Sequence, residues 1–492
     1  MVDLPFPFPS AQLLASDLRT GALTSVEALE MHLKCFESRN GRLNAIVRTD
    51  IAAARTRARE LDRMQKDGRL AGPLHGVPLT LKDTFDVDGM PAVAGAPELV
   101  SRPNRTADSA IAAQLKAAGA IIWGKSNTPY LAGDSQTYNA VYGLTRNPWD
   151  LNLTPGGSSG GAAVALAAGM TPLEVGSDIG GSLRIPAHFC GVAALKTTFG
   201  RVSLAGHVPP QPGVLATRDL NVAGPMARTV DDLMLLLSVL APASDFEDTR
   251  RDIDSLPVGL WSESTFFPLS GDCRQAVEIA ADSLRDLGYG VVRARPDITD
   301  EELLDLYLRL LLPILALDMP RPLARLIEAS RPLASLFGRT KTFSRSRWLR
   351  YSGGSHREWL LAHDRRLRLK VRMQELFSKR SVLIAPVFPT TAFPHDQSGD
   401  SLSRTLNVDG RPYFHYLSHG WIALSSLCHL PSVVIPTPRS RGSPPCGIQI
   451  IGPEGGDLTV LRIAKLLEAH WGRPPSPPPL ADWPTFKSPG TS

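Results

Sequence analysis

Apolar residues along this chain fall in short unbroken runs that alternate with amphipathic stretches, and that alternation predicts an α/β fold. Thr24-Ser-Val-Glu27 has the form of a capping box, and the amphipathic stretch behind it predicts a helix to about Arg39. Ile51 to Asp67 reads as a second helix, closed by Gly68. Gly76-Val-Pro-Leu-Thr-Leu-Lys-Asp83 reads as a short buried strand with a lysine near its end. A helix from Asp108 to Ala118 stops at Gly119, before a strand from Ala120 to Lys125. Past a Gly/Ser loop at 156–161, Ala162 to Ala168 predicts a helix of small residues, and Leu173 to Gly176 a further strand.

The second half continues the alternation, with one interruption. Thr229 to Leu240 is a strongly apolar helix, and a strand begins at Pro257-Val-Gly-Leu-Trp261. Residues 300–375 are mostly helical and rich in leucine and arginine, an insertion or cover on the sheet or else a small separate subdomain. Ser381 to Pro386, Ser432 to Pro436 and Cys446 to Ile451 are strand candidates, and a helix follows from Asp457 to about His470. No segment repeats another. A chain of 492 residues suggests two or three domains by length alone, yet a large α/β enzyme can hold one wide sheet. With 43% hydrophobic residues a large core is available. We expect one catalytic domain over 1–475 and a proline-rich tail over 476–492.

Charge and cysteine usage exclude more than they assign. A net charge of +5 is a weak bias at this length and no nucleic-acid footprint. Much of it lies between Arg321 and Arg372, where solvated helix faces are the plain expectation and an acidic partner or membrane surface the alternative. Cys35, Cys190, Cys273, Cys428 and Cys446 show no metal-ligand spacing and no disulfide framework. The opening residues lack a basic region followed by an apolar core, so no signal peptide is expected, and a cytoplasmic location is the default. The apolar run from Leu303 to Leu317 is broken by Asp305, Arg309 and Pro313, which argues against a membrane span.

Two glycine-serine motifs carry the candidate chemistry. Pro155-Gly-Gly-Ser-Ser-Gly-Gly161 lets bare backbone approach a ligand, but lacks the Gly-Lys-Ser/Thr ending of a nucleotide-phosphate loop. Gly176-Ser-Asp-Ile-Gly-Gly-Ser-Leu-Arg-Ile-Pro186 again sets a serine after two glycines, an arrangement suited to a nucleophile beside consecutive N–H groups. Asp178 and Arg184 flank that serine and can pair to hold the turn. A serine nucleophile needs a base, and Lys82, on an otherwise apolar segment, would be driven toward its neutral form by burial. Cys190 has apolar neighbours and reads as a structural thiol.

Together these segments resemble the amidase-signature family. Gly156-Gly-Ser-Ser-Gly-Gly161 through Asp178-Ile-Gly-Gly-Ser-Leu-Arg-Ile-Pro186 is similar to its signature, and Gly76 to Asp83 to its lysine motif. Gly124-Lys-Ser-Asn-Thr-Pro129, Asn147-Pro-Trp149, Cys190 to Lys196, Val222 to Met226 and Gly447 to Gly452 resemble further landmarks. The resemblance is dense over about 10–240 and returns near 380–470. It implies one large fold, a central mixed β-sheet covered by helices on both faces. It also implies Ser182 as nucleophile, Ser158 as a proton bridge preceded by a cis peptide, and Lys82 as base. The backbone N–H groups of Ile179, Gly180, Gly181 and Ser182 would form the oxyanion hole, with Ser159, Ser177, Asp178 and Arg184 in support. Ala132, Gly133 and Asp134 occupy the segment that lines the substrate channel in related enzymes. No metal or organic cofactor is implied, because the lysine stands in for both histidine and metal-bound water.

The resemblance points to small amides, anilides, carbamates or esters as substrates, with a texture like that of family members accepting aryl amides and carbamates. Oligomeric state stays open, a homodimer being common in such enzymes. Leu303, Leu306, Tyr307, Leu311, Leu312, Phe337, Phe343 and Trp348 suggest a helical lid for hydrophobic groups, with core packing as the alternative. Three rival readings remain. Gly156-Gly-Ser-Ser-Gly160 fits the nucleophile elbow of α/β-hydrolases, with Ser158 attacking and His415, His419 or His429 as base. The chain is also compatible with the glutaminase subunit of a tRNA-dependent amidotransferase, or with a non-catalytic binding protein on an amidase scaffold.

Overall fold

The computed structural model describes residues 8–104, 107–241, 256–317, 321–337, 345–398, 404–439, 443–472 and 476–478. Eight strands form the central sheet in the order Val291–Arg293, Val258–Leu260, Leu383–Pro386, Gly447–Ile451, Ser432–Pro436, Ala193–Lys196, Val222–Ala227 and Leu173–Asp178. The first three run parallel and each later pair is antiparallel, so the sheet is mixed. Side chains alternate across it as a pleated strand requires. Ala194, Leu383, Val434 and Ile451 join one apolar cluster, while Leu195, Ile384, Val433 and Ile450 join the other. Both faces are buried, which is why these strands read as continuous apolar runs.

Helices cover each face with an apolar stripe. Gly160–Ala167, Asp300–Ala316 and Gly420–Leu427 pack on the first, and Val230–Leu240, Gly271–Asp286 and Asp457–Trp471 on the second. The capping box at Thr24 and Glu27 forms on both its arms and opens Ser25–Leu43, four residues longer than the sequence pattern suggested. Asn44 in the left-handed conformation ends that helix.

A smaller sheet orders Ile46–Thr49, Ile121–Ser126 and Pro78–Lys82, the last two parallel. Its lysine-bearing edge lies along the edge strand Leu173–Asp178 of the large sheet. Thr80 Oγ1 donates to Glu174 at 2.6 Å, and Lys82 Nζ to Ser177 Oγ at 3.0 Å. Leu79 and Leu81 point the other way, into the second core cluster. Period two thus sends one polar pair toward the junction of the sheets.

The described residues of the 300–375 block form the helices Asp300–Ala316, Arg321–Phe337, Arg345–Ser352 and His356–Ser378. The first is core, not a detached lid: Leu303, Leu306, Tyr307 and Leu311 are buried in the main cluster. Arg366, within the basic stretch between Arg321 and Arg372, is no solvated face: it is buried and paired with Asp219 at 2.5 Å. The side chains of Arg321, Arg331, Phe337, Arg339, Phe343 and Arg345, and the tail residues 473–475 and 479–492, lie outside what is described. No helix among the described residues is long and apolar enough to cross a membrane.

Candidate active site

The site gathers where the two sheets meet the two glycine-serine motifs. Lys82, at the end of its strand, is fully buried and donates to Ser158 Oγ at 2.8 Å as well as to Ser177 Oγ. Burial pushes its amine down to about 7, against the opposing pull of Asp178 and Glu174. Glu174 itself is raised to about 7 by burial, despite the hydrogen bond from Thr80. A neutral lysine is therefore accessible near neutral pH.

Ser158 sits in the loop before Gly160–Ala167, and the Gly157–Ser158 peptide is cis. The loop's glycines have a steric reason. A Cβ on Gly157 would lie 2.5 Å from the Asp134 carbonyl oxygen, and one on Gly161 would lie 2.3 Å from the Asn127 nitrogen. Ser159 N–H donates to the Ser182 carbonyl at 3.1 Å and ties this loop to the second motif.

Asp178 and Arg184 hold the second motif from inside. Both are fully buried, so they are no surface pair. The guanidinium meets the carboxylate twice, at 2.9 and 3.0 Å, and spends its remaining donors on Ile422 O, Ser425 Oγ and Ser426 Oγ. Burial would raise the Asp178 carboxyl, but Arg184, then Lys196 and the Leu183 N–H, bring it down to about 2. Asp178 also accepts from Gly181 N–H at 2.8 Å and from Leu183 N–H at 3.0 Å. This corrects one expectation for the oxyanion hole. The Gly181 N–H is spent on Asp178, and among the described residues no acceptor engages those of Ile179, Gly180 and Ser182. Gly181 has φ near +94°, which favours glycine there.

Ser158, Ser177 and Ser182 share a cavity of about 390 Å³. Its walls are mainly apolar, including Leu131, Ile314, Leu315, Leu323 and Trp348. Ala132 and Gly133 line it. Asp134 does not; its carboxylate is held by Arg404 at 2.7 Å and by Tyr138, which makes it a brace for the wall. His207 also lines the cavity, and burial together with the nearby lysine keeps it neutral, its pKa pushed down to about 3. His207, Ile314, Leu315 and Leu323 were absent from the sequence-derived site, since no motif marks a wall built from distant segments.

Among the described residues Ser158 Oγ is hydrogen-bonded by Lys82 and by no histidine, although His207 lines the same cavity and His419 lies beside Gly180. His415 Nε2 lies 2.8 Å from Ser135 Oγ, His429 Nε2 lies 2.9 Å from Asp219, and His429 stacks on Phe199. The cysteines gave one surprise: Cys273, Cys446 and His188 converge within 4.8 Å. Gly447 N–H already donates to His188 Nδ1 at 2.8 Å, and Nε2 faces the Thr390 carbonyl at 3.0 Å. Both ring nitrogens are thus engaged within the protein. Burial pushes the Cys190 thiol up, as suits a structural cysteine.

With this geometry in place, comparison with known proteins gives the class: the Amidase family profile matches residues 27–461, and the chain belongs to that family. It is an amidase-family enzyme, a hydrolase of carbon–nitrogen bonds. The chain is 33% identical to a putative amidase, AmiB2, of Mycobacterium tuberculosis, over 95% of this chain and 96% of that protein. It is 32% identical to a glutamyl-tRNA(Gln) amidotransferase subunit of Chloroflexus aurantiacus, over 93% of this chain and 96% of that protein. Among solved structures, a crystal structure of an amidase superposes with a TM-score of 0.75 at 30% identity, covering 94% of this chain and all of that one. A bacterial aryl acylamidase shares the fold, with a TM-score of 0.75 at 23% identity over 94% and 96% of the two chains.

Proposed function

We propose that this chain hydrolyses small amides, anilides or aryl carbamates through an acyl-enzyme on Ser182. The observation that carries this reading is the buried contact between Lys82 and Ser158, which lines the same cavity as Ser182. Ser182 Oγ attacks the carbonyl carbon, its proton passes to Ser158, and the Ser158 proton passes to neutral Lys82. The tetrahedral oxyanion is met by the free N–H groups of Ile179, Gly180 and Ser182. As the C–N bond breaks, Lys82 returns the proton through Ser158 to the departing amine. Water then repeats the sequence and releases the acid. The apolar walls favour a hydrophobic or aromatic group on the acyl or amine side.

A panel of nitroanilides, aryl carbamates and glutamine tests this reading. Turnover of anilide or carbamate that vanishes in Ser182→Ala is expected. A second reading, the glutaminase component of an amidotransferase, draws on the 32% identity to such a protein. Turnover of glutamine alone, by a chain that migrates only in a complex on gel filtration, would establish it instead.

A further inference from the structure

We infer that Tyr307 is a positioning residue for the oxyanion hole, an inference that rests on the hydrolase reading above. Its hydroxyl donates to the Ile179 carbonyl oxygen at 2.9 Å, and the ring is fully buried. A trans peptide points its C=O and N–H in opposite directions. Holding the Ile179 carbonyl therefore fixes the plane of the Ile179–Gly180 peptide and turns the Gly180 N–H to the side away from the ring. That N–H is one of the three free donors beside Ser182. Gly180 brings no side chain to anchor the plane itself. A Cβ there would find only Tyr307 Oη at 3.4 Å and His419 Cδ2 at 3.9 Å within 4 Å.

Tyr307 belongs to Asp300–Ala316, the same helix that carries Ile314 and Leu315 into the cavity wall. One rigid element thus shapes the substrate wall and orients a donor for the reacting oxygen. On the other flank, Asp178 holds the Gly181 N–H. The loop is gripped from both sides, and the donors left over are those of Ile179, Gly180 and Ser182. Preorganisation of this kind acts on the transition state and leaves ground-state binding alone.

Tyr307→Phe removes one oxygen and keeps the ring volume. Deleting an oxyanion donor outright costs about 10²–10³ in rate, so loosening one is expected to lower kcat about tenfold with KM within about twofold. Affinity for a boronic acid, which forms a charged tetrahedral adduct, should fall by the same factor, while the product amine, which places no oxygen in the hole, binds as before. An unchanged kcat, or a raised KM at constant kcat, overturns the inference while Ser182-dependent turnover in the wild type leaves the hydrolase reading standing. A wild type without that turnover overturns both. Should Tyr307→Phe not fold, 3-fluorotyrosine at this position alters only donor strength; kcat must then move and KM must not.

Discussion

Lys82 and Ser158 lie 76 positions apart in the chain, yet their side chains meet at 2.8 Å in a place closed to solvent. The contact is made by an edge strand of the small sheet and a loop that glycine alone allows to pass so close to the 134–136 backbone. A buried amine beside two hydroxyls is costly as a structural element, because the charged form is desolvated. The proposed proton transfer would account for its retention there.

Lys82→Ala should therefore abolish chemistry while the fold survives. General-base catalysis contributes about 10²–10⁴, so kcat/KM for an anilide should drop by at least that range. His429→Gln should leave turnover within about twofold, since that ring serves Asp219 and Phe199. Steady-state assays of both variants decide the matter. Retained activity in Lys82→Ala, with loss in His429→Gln, would reverse the assignment in favour of a histidine base.

The pH profile should follow the same amine. Only neutral Lys82 accepts a proton, and its pKa is depressed to about 7. Activity is thus expected to be low at pH 5, to rise through a midpoint near 7, and to level off above pH 8. The measurement is kcat/KM from pH 5 to 9 with a substrate that does not titrate in that range. A rate that falls with pH across the same window would contradict a lysine base.

Asp178→Asn probes the grip on the second motif. The substitution leaves the Arg184 guanidinium buried without its counter-charge, a change worth about 3–5 kcal/mol of stability. The carboxylate, held near pKa 2, contributes stability that is present above its unfolded pKa near 3.8 and is lost as pH falls toward 2. Thermal melts at pH 7 should show a large drop in Tm for the variant. Near pH 2 the gap between variant and wild type should close.

The candidate site residues stand out in the sequence because each lies in a short motif: two Gly-Gly-Ser runs and a lysine at the end of an apolar strand each announce themselves within ten residues. The fold class followed from alternation, and the sheet faces from apolar runs. What sequence could not show depends on distant segments meeting. Apolar patterning marks Tyr307 as lid or core and says nothing of its hydroxyl on the Ile179 carbonyl, and the position of Asp134 in its motif says nothing of Arg404, which holds its carboxylate. Gly181 counted as an oxyanion donor until the Asp178 carboxylate, three positions earlier, took its N–H. Cys273 and Cys446, 173 positions apart, came within 3.7 Å although no spacing rule links them.

The cavity wall yields a prediction about substrate choice. Trp348, from the short helix Arg345–Ser352, lines the same space as Ser182, in a largely apolar enclosure shared with Leu131 and Ile179. An aryl group bound there loses water from both faces, and each methylene-sized contact in such a pocket is worth about 1–3 kcal/mol. Trp348→Ala should then raise KM for an aryl anilide at least about tenfold. Activity toward acetamide, too small to reach the indole, should stay within about twofold, because the Ser182 environment is untouched. The ratio of the two kcat/KM values is the measurement. Equal losses on both substrates would mean that Trp348 supports the catalytic loops rather than the substrate, and the apolar-pocket argument would fail.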